Sequence, residues 1–227
     1  MGEYVEWPME GQPGRGYLAR PEAPGPALIV IQEWWGLVPH IEEVCDRYAA
    51  EGYLALAPDM YHGQVAGEPD EARKVAMTMD LNRAGLELQS AVTFLQGHEL
   101  SSTRKVAVTG FCMGGALAYM LASLAPSDIS AVAPFYGAMP WPDFKPDWDR
   151  IAAPIEGHYA EHDHAYPLER ARELEADLAA LGKDVLFHYY PGTSHAFFNP
   201  TRPEAFDATA AETSWRRTLA FLARTAA

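Results

Sequence analysis

Lys105-Val106-Ala107-Val108-Thr109-Gly110-Phe111-Cys112-Met113-Gly114-Gly115 runs from residue 105 to 115. An apolar run of strand character leads into G-x-C-x-G, and a stretch of small apolar residues over 115–125 follows. The pattern predicts a buried strand, a sharp turn and a helix. In such a turn the central residue is pushed out over the end of the sheet. The flanking glycines keep Cβ atoms out of the close strand–helix approach. The helix start then points free N–H groups and a positive dipole end at the side chain of Cys112. Cys112 is therefore the candidate nucleophile. The other cysteine, Cys45, falls on the apolar face of an amphipathic segment and reads as a packing thiol.

Working outward, apolar runs at 27–31, 53–57, 106–109, 129–133 and 185–190 read as buried strands, with a weaker candidate at 154–159. Residues 4–8 and 16–19 predict a short antiparallel pair around a turn at 11–14. Helical patterns fill 41–51, 80–96, 115–125, 167–181 and 203–226, the fourth opening on Pro167 and stopping at Gly182. Strands alternating with helices imply a mostly parallel central sheet flanked by helices on both faces. No linker divides the chain, so residues 1–227 are expected to form one domain, with 137–149 as a surface excursion or small cap. The net charge of −14 argues against nucleic acid as a partner, which needs clustered Lys and Arg. No signal peptide or membrane span is visible, and the two cysteines make no disulfide framework, so a cytoplasmic location is expected.

A thiol nucleophile needs a base to take and return its proton, and a carboxylate to orient that base. His195, in Pro191-Gly192-Thr193-Ser194-His195, follows the last strand, where sites in parallel sheets sit. His188 lies inside that strand and reads as a packed or surface residue. Asp163, between strand 154–159 and the Pro167 helix, is the best-placed carboxylate, with Glu161 as its rival. His158, His162, Asp163 and His164 also raise a metal site, but a triad accounts for Asp163 more economically, so no metal and no cofactor is expected. Glu33 ends the first core strand, beside the expected place of the thiol.

These residues together resemble the dienelactone hydrolase family (carboxymethylenebutenolidases) of the α/β-hydrolase fold. The matching pieces are Gln32-Glu33-Trp34-Trp35-Gly36, Ala57-Pro58-Asp59, Gly110 to Gly115, Asp163-His164 with Pro167, and Tyr190-Pro191-Gly192 through His195. The resemblance implies a Cys112–His195–Asp163 triad. It implies an oxyanion hole made by the N–H groups of Met113 and Trp34. It also implies that Glu33 receives the proton of the resting thiol, with Tyr136 near the pocket. Family enzymes acting on carboxylated lactones clamp the substrate carboxylate with arginines, one of them a few residues beyond the histidine. Here Asn199 stands near that place and Arg202 slightly later, with Arg73 as candidate for the second. The expected partner is a small lactone or ester, and the expected form a monomer. The rival expectations are a general carboxylesterase or thioesterase, and a redox-sensing scaffold without enzymatic activity.

Overall fold

The computed structural model describes residues 2–137, 140–141 and 145–225. Eight strands make one sheet: β1 (Glu3–Trp7), β2 (Gly14–Ala19), β3 (Ala27–Ile31), β4 (Leu54–Pro58), β5 (Val106–Phe111), β6 (Ile129–Phe135), β7 (Ile155–His162) and β8 (Val185–Ser194). Their spatial order is β1-β2-β4-β3-β5-β6-β7-β8. The β1–β2 and β2–β4 pairs are antiparallel and the others parallel. This is the α/β-hydrolase fold expected from the sequence.

Central strands are apolar throughout because both faces are covered. Ile29 and Ile31 face a layer made by α3 (Leu81–Gln96), α4 (Met113–Leu124) and α5 (Leu168–Ala180). Leu28 and Val30 face α1 (Pro39–Ala50) and α6 (Ala208–Thr225), where Tyr48 packs on Trp215 at 4.3 Å. Chain order reverses around β3, which lies between β4 and β5. A crevice opens beyond the carboxyl ends of strands at such a point. Among the described residues, no helix is long and apolar enough to cross a membrane.

The four largest differences from expectation are these. β8 continues to Ser194, so His195 directly follows the strand. β7 is longer than the weak run predicted and ends at His162. The last helix begins at Ala208 rather than at Pro203, because the Asp207 carboxylate accepts from Ala210 N and starts the helix there. A helix over Pro69–Met77 (α2) was not anticipated; it buries only Ala72 and Ala76, too little apolar surface to show as a stripe. Of the excursion at 137–149, residues 138, 139 and 142–144 lie outside the described residues. Trp141 is buried, and its indole N–H donates to Ala76 O of α2 at 2.8 Å.

Candidate active site

Cys112 sits between β5 and α4 with φ +54° and ψ −118°. Holding a non-glycine residue there is costly and needs support from its surroundings. Cys112 N donates to Phe135 O, and Gly115 N donates to Cys112 O, each at 3.0 Å. The helix start is pressed against the end of β3. A Cβ on Gly114 would lie 2.3 Å from Ile31 O and 2.5 Å from Gln32 O. A Cβ on Gly110 would lie 2.1 Å from Gly114 O. The glycines of the turn are thus a steric requirement. Met113 opens α4, so its N–H has no intrahelical acceptor. Its thioether accepts from the Tyr61 hydroxyl at 3.3 Å. Cys112 is half-buried, whereas Cys45 is fully buried and burial pushes its thiol well up.

His195 and Asp163 stand at the neighbouring ends of β8 and β7. His195 Nδ1 meets Asp163 Oδ2 at 2.7 Å, and Asp163 is 5% exposed. The other carboxylate oxygen, Oδ1, accepts from Ala165 N and Tyr166 N, each at 2.8 Å. His195 Nε2 is buried and makes no hydrogen bond to another described residue. Burial lowers the affinity of His195 for a proton, but the charge of a Cys112 thiolate and the Asp163 hydrogen bond outweigh it. The imidazolium is held well above its ordinary range. Glu161, the rival carboxylate, accepts from Gly192 N instead.

Glu33 follows β3 and is 1% exposed. Its Oε1 accepts from the Tyr136 hydroxyl at 3.3 Å and its Oε2 from Asn199 Nδ2 at 2.7 Å. Burial pushes its carboxyl up, against the opposing pull of Asn199, His195, Tyr136 and Arg202. Tyr136, with φ +37°, lays its ring 4.9 Å from that of His195.

Glu33, Trp34, Cys112, Met113 and His195 line one cavity of about 390 Å³. Its remaining wall is mostly apolar, with Trp35, Pro69, Ala76 and Pro140 contributing, and among the described residues Arg202 and Glu204 are its other charged groups. The Arg202 guanidinium lies over Trp35, 3.8 Å from the ring centre. Arg73 is exposed on α2 and is not among the lining residues. The histidines that raised a metal site are dispersed. His158 is buried between Tyr190 Oη and Thr218 Oγ1, and His162 and His164 are exposed. His188 pairs with Glu156 at 3.0 Å. Among the described residues, no three His, Cys, Asp or Glu side chains are grouped to hold a metal. Sequence reasoning missed the α2 wall and the role of Asn199, whose one signal was its occurrence near the place of an expected arginine.

A model of the dienelactone hydrolase family matches residues 15–226. The chain belongs to the dienelactone hydrolase family. Protein usf of Aquifex pyrophilus is 39% identical over 228 residues, covering 97% of each chain. A provisionally named carboxymethylenebutenolidase of Aquifex aeolicus is 34% identical, again covering 97% of each. The crystal structure of a provisionally named dienelactone hydrolase from Klebsiella pneumoniae superposes with a TM-score of 0.87 at 26% identity, covering 98% of this chain and 99% of that one. As a member of the dienelactone hydrolase family, the protein is a hydrolase of ester or lactone bonds.

Proposed function

We propose that the chain opens a small-molecule lactone or ester through a thioester formed on Cys112. The observation that carries this reading is the 2.7 Å contact between His195 and a nearly buried Asp163, with His195 and Cys112 lining the same cavity. The Cys112 sulfur attacks the carbonyl carbon. The oxyanion is held by the N–H groups of Met113 and Trp34, a class of contact worth about 3–4 kcal/mol. As the carbon–oxygen bond breaks, His195 protonates the departing oxygen. It then takes a proton from the water that attacks the thioester, and the thiolate released as the acid leaves recovers its proton from Glu33. Asp163 fixes the imidazole tautomer throughout. Glu33 accepts the proton of the resting thiol when substrate arrives, and Tyr136 braces both His195 and Glu33. Arg202, the cation in the cavity wall, faces an anionic group on the substrate. Arg73, exposed on α2, takes no part in this reading.

Replacing Cys112 by Ala should abolish turnover of p-nitrophenyl acetate while circular dichroism stays unchanged. Turnover at the wild-type rate in that variant would remove Cys112 from the mechanism. A second reading, a general carboxylesterase or thioesterase, is favoured by the mostly apolar cavity wall. Arg202→Gln separates the two. It raises KM for a carboxylated lactone more than for a neutral ester if Arg202 binds the carboxylate, and equally for both if it does not.

A further inference from the structure

Glu33 is held by neutral donors. Both of its oxygens are occupied, one by the Tyr136 hydroxyl and one by the Asn199 amide. The amide is itself oriented. Asn199 Oδ1 accepts from Thr201 N at 2.9 Å and from Thr201 Oγ1 at 2.7 Å, so Nδ2 must face Glu33. Asn199 is 1% exposed, which leaves it no room to turn. We infer that Asn199 is the positioning residue of Glu33: its amide, oriented by Thr201, clamps the carboxylate in the cavity wall as the proton acceptor for Cys112. The inference rests on the reading of Cys112 as nucleophile and Glu33 as its acceptor.

Two consequences follow from the donor being an uncharged amide. It fixes the direction of the carboxylate lone pairs without adding a counter-charge. A cation hydrogen-bonded at the same place would hold Glu33 ionised and make it a poorer base. A free thiol titrates near 8.5 and a free Glu near 4.3, so proton transfer between them is steeply uphill unless the carboxyl is raised. Burial raises it here. The Asn199 hydrogen bond pulls the other way and favours the carboxylate. The other groups facing Glu33 are Tyr136 beyond β6, His195 beyond β8 and Arg202 on the following turn.

The test is the pH profile of kcat/KM for p-nitrophenyl acetate in the full-length chain. Asn199→Leu removes the donor at similar volume. Asn199→Asp keeps the shape and both Thr201 contacts, so it serves even if the leucine variant does not fold. In Asn199→Leu the acid limb should move alkaline by about one unit, roughly a tenfold loss on the acid side and little loss on the alkaline side, and in Asn199→Asp, where a second carboxylate stands beside Glu33, it should move further in the same direction. In Glu33→Gln that limb should disappear, and adding Asn199→Leu should then change nothing further. A uniform loss of rate with the acid limb in place would overturn the inference and leave Asn199 a packing residue. A wild-type limb in Glu33→Gln would overturn it equally. Alkylation of Cys112 with iodoacetamide keeps this distinct from the parent reading. If the alkylated enzyme still turns over, the nucleophile is wrong; if alkylation abolishes turnover but the limb does not move, only the clamp is wrong.

Discussion

Asp163→Asn is the sharpest test of the proposed triad, because the structure dictates how the new amide must sit. Asp163 Oδ1 accepts two backbone N–H bonds, from Ala165 and Tyr166, each at 2.8 Å. In the variant the amide oxygen keeps that place. The reverse orientation would oppose an NH₂ to two N–H groups and leave both without an acceptor, at about 1–3 kcal/mol each. The NH₂ therefore points at His195 Nδ1, 2.7 Å away in the wild type. Nδ1 must then accept, and the ring proton moves to Nε2, the atom that would take the proton of the attacking water. The base is blocked by its own tautomer. The variant also loses the Asp163 hydrogen bond that helps hold the imidazolium. The expected loss in kcat is about 10³- to 10⁴-fold, or about 4–5.5 kcal/mol of barrier. It would be measured by steady-state hydrolysis of p-nitrophenyl acetate, with a thermal melt to show that the fold is intact. A well-folded Asp163→Asn enzyme within about tenfold of the wild type, a barrier change of only about 1.4 kcal/mol, would refute the assigned roles of Asp163 and His195.

Two further predictions concern the fold. Gly114→Ala forces a Cβ to within 2.3 Å of Ile31 O, backbone against backbone. It should cost about 3 kcal/mol and lower Tm by roughly 6–12 °C, whereas Gly67→Ala, with nothing within 4 Å of its Cβ, should barely move the melt; equal melts for the two would show that the elbow has slack. His40 is buried against Phe111 and Phe198, its Nε2 has no hydrogen-bond partner, and burial brings its pKa down to about 4. The unfolded chain binds that proton near pH 6.5 and the folded chain does not, so stability falls as pH drops from about 6.5 to about 4, by about 3 kcal/mol from this group. Urea denaturation across that window should show His40→Phe gaining on the wild type as pH falls, and parallel curves would contradict it.

The elbow was legible because its signal is local: a strand, glycines where a Cβ meets backbone, and a helix, within eleven residues. The fold class was legible for the same reason, from apolar runs buried on both faces. What escaped reading depends on contacts across the chain. Asn199 and Glu33 are 166 residues apart in sequence and 2.7 Å apart in space, and no periodicity encodes that. α2 escaped because its pattern is mostly polar, although Ala76 and Pro69 form part of the cavity wall. The start of α6 was misplaced because Pro203 is a general helix-start signal, and Asp207 is the residue that provides the capping oxygen.

Strand register explains why the dispersed residues meet. Ile31 pairs with Gly110 across β3 and β5, so Glu33 and Cys112 each lie two residues beyond that rung. His162 pairs with Ser194 across β7 and β8, so Asp163 and His195 each lie one residue beyond that rung. Phe111 pairs with Phe135, which puts Cys112 and Tyr136 one residue past it on β5 and β6. Parallel strands about 4.8 Å apart carry such matched positions to the same edge, within reach of a side chain. The residues recognised in the sequence therefore lie one or two residues past the last rungs of five strands. Their proximity follows from strand order and register. A one-residue slip would exchange the residues facing the two helix layers, and side chains of β3 and β5 packed into one layer would then meet the other. The apolar core thus sets the positions of Glu33, Cys112, Asp163 and His195, and the loops beyond them shape the rest of the cavity.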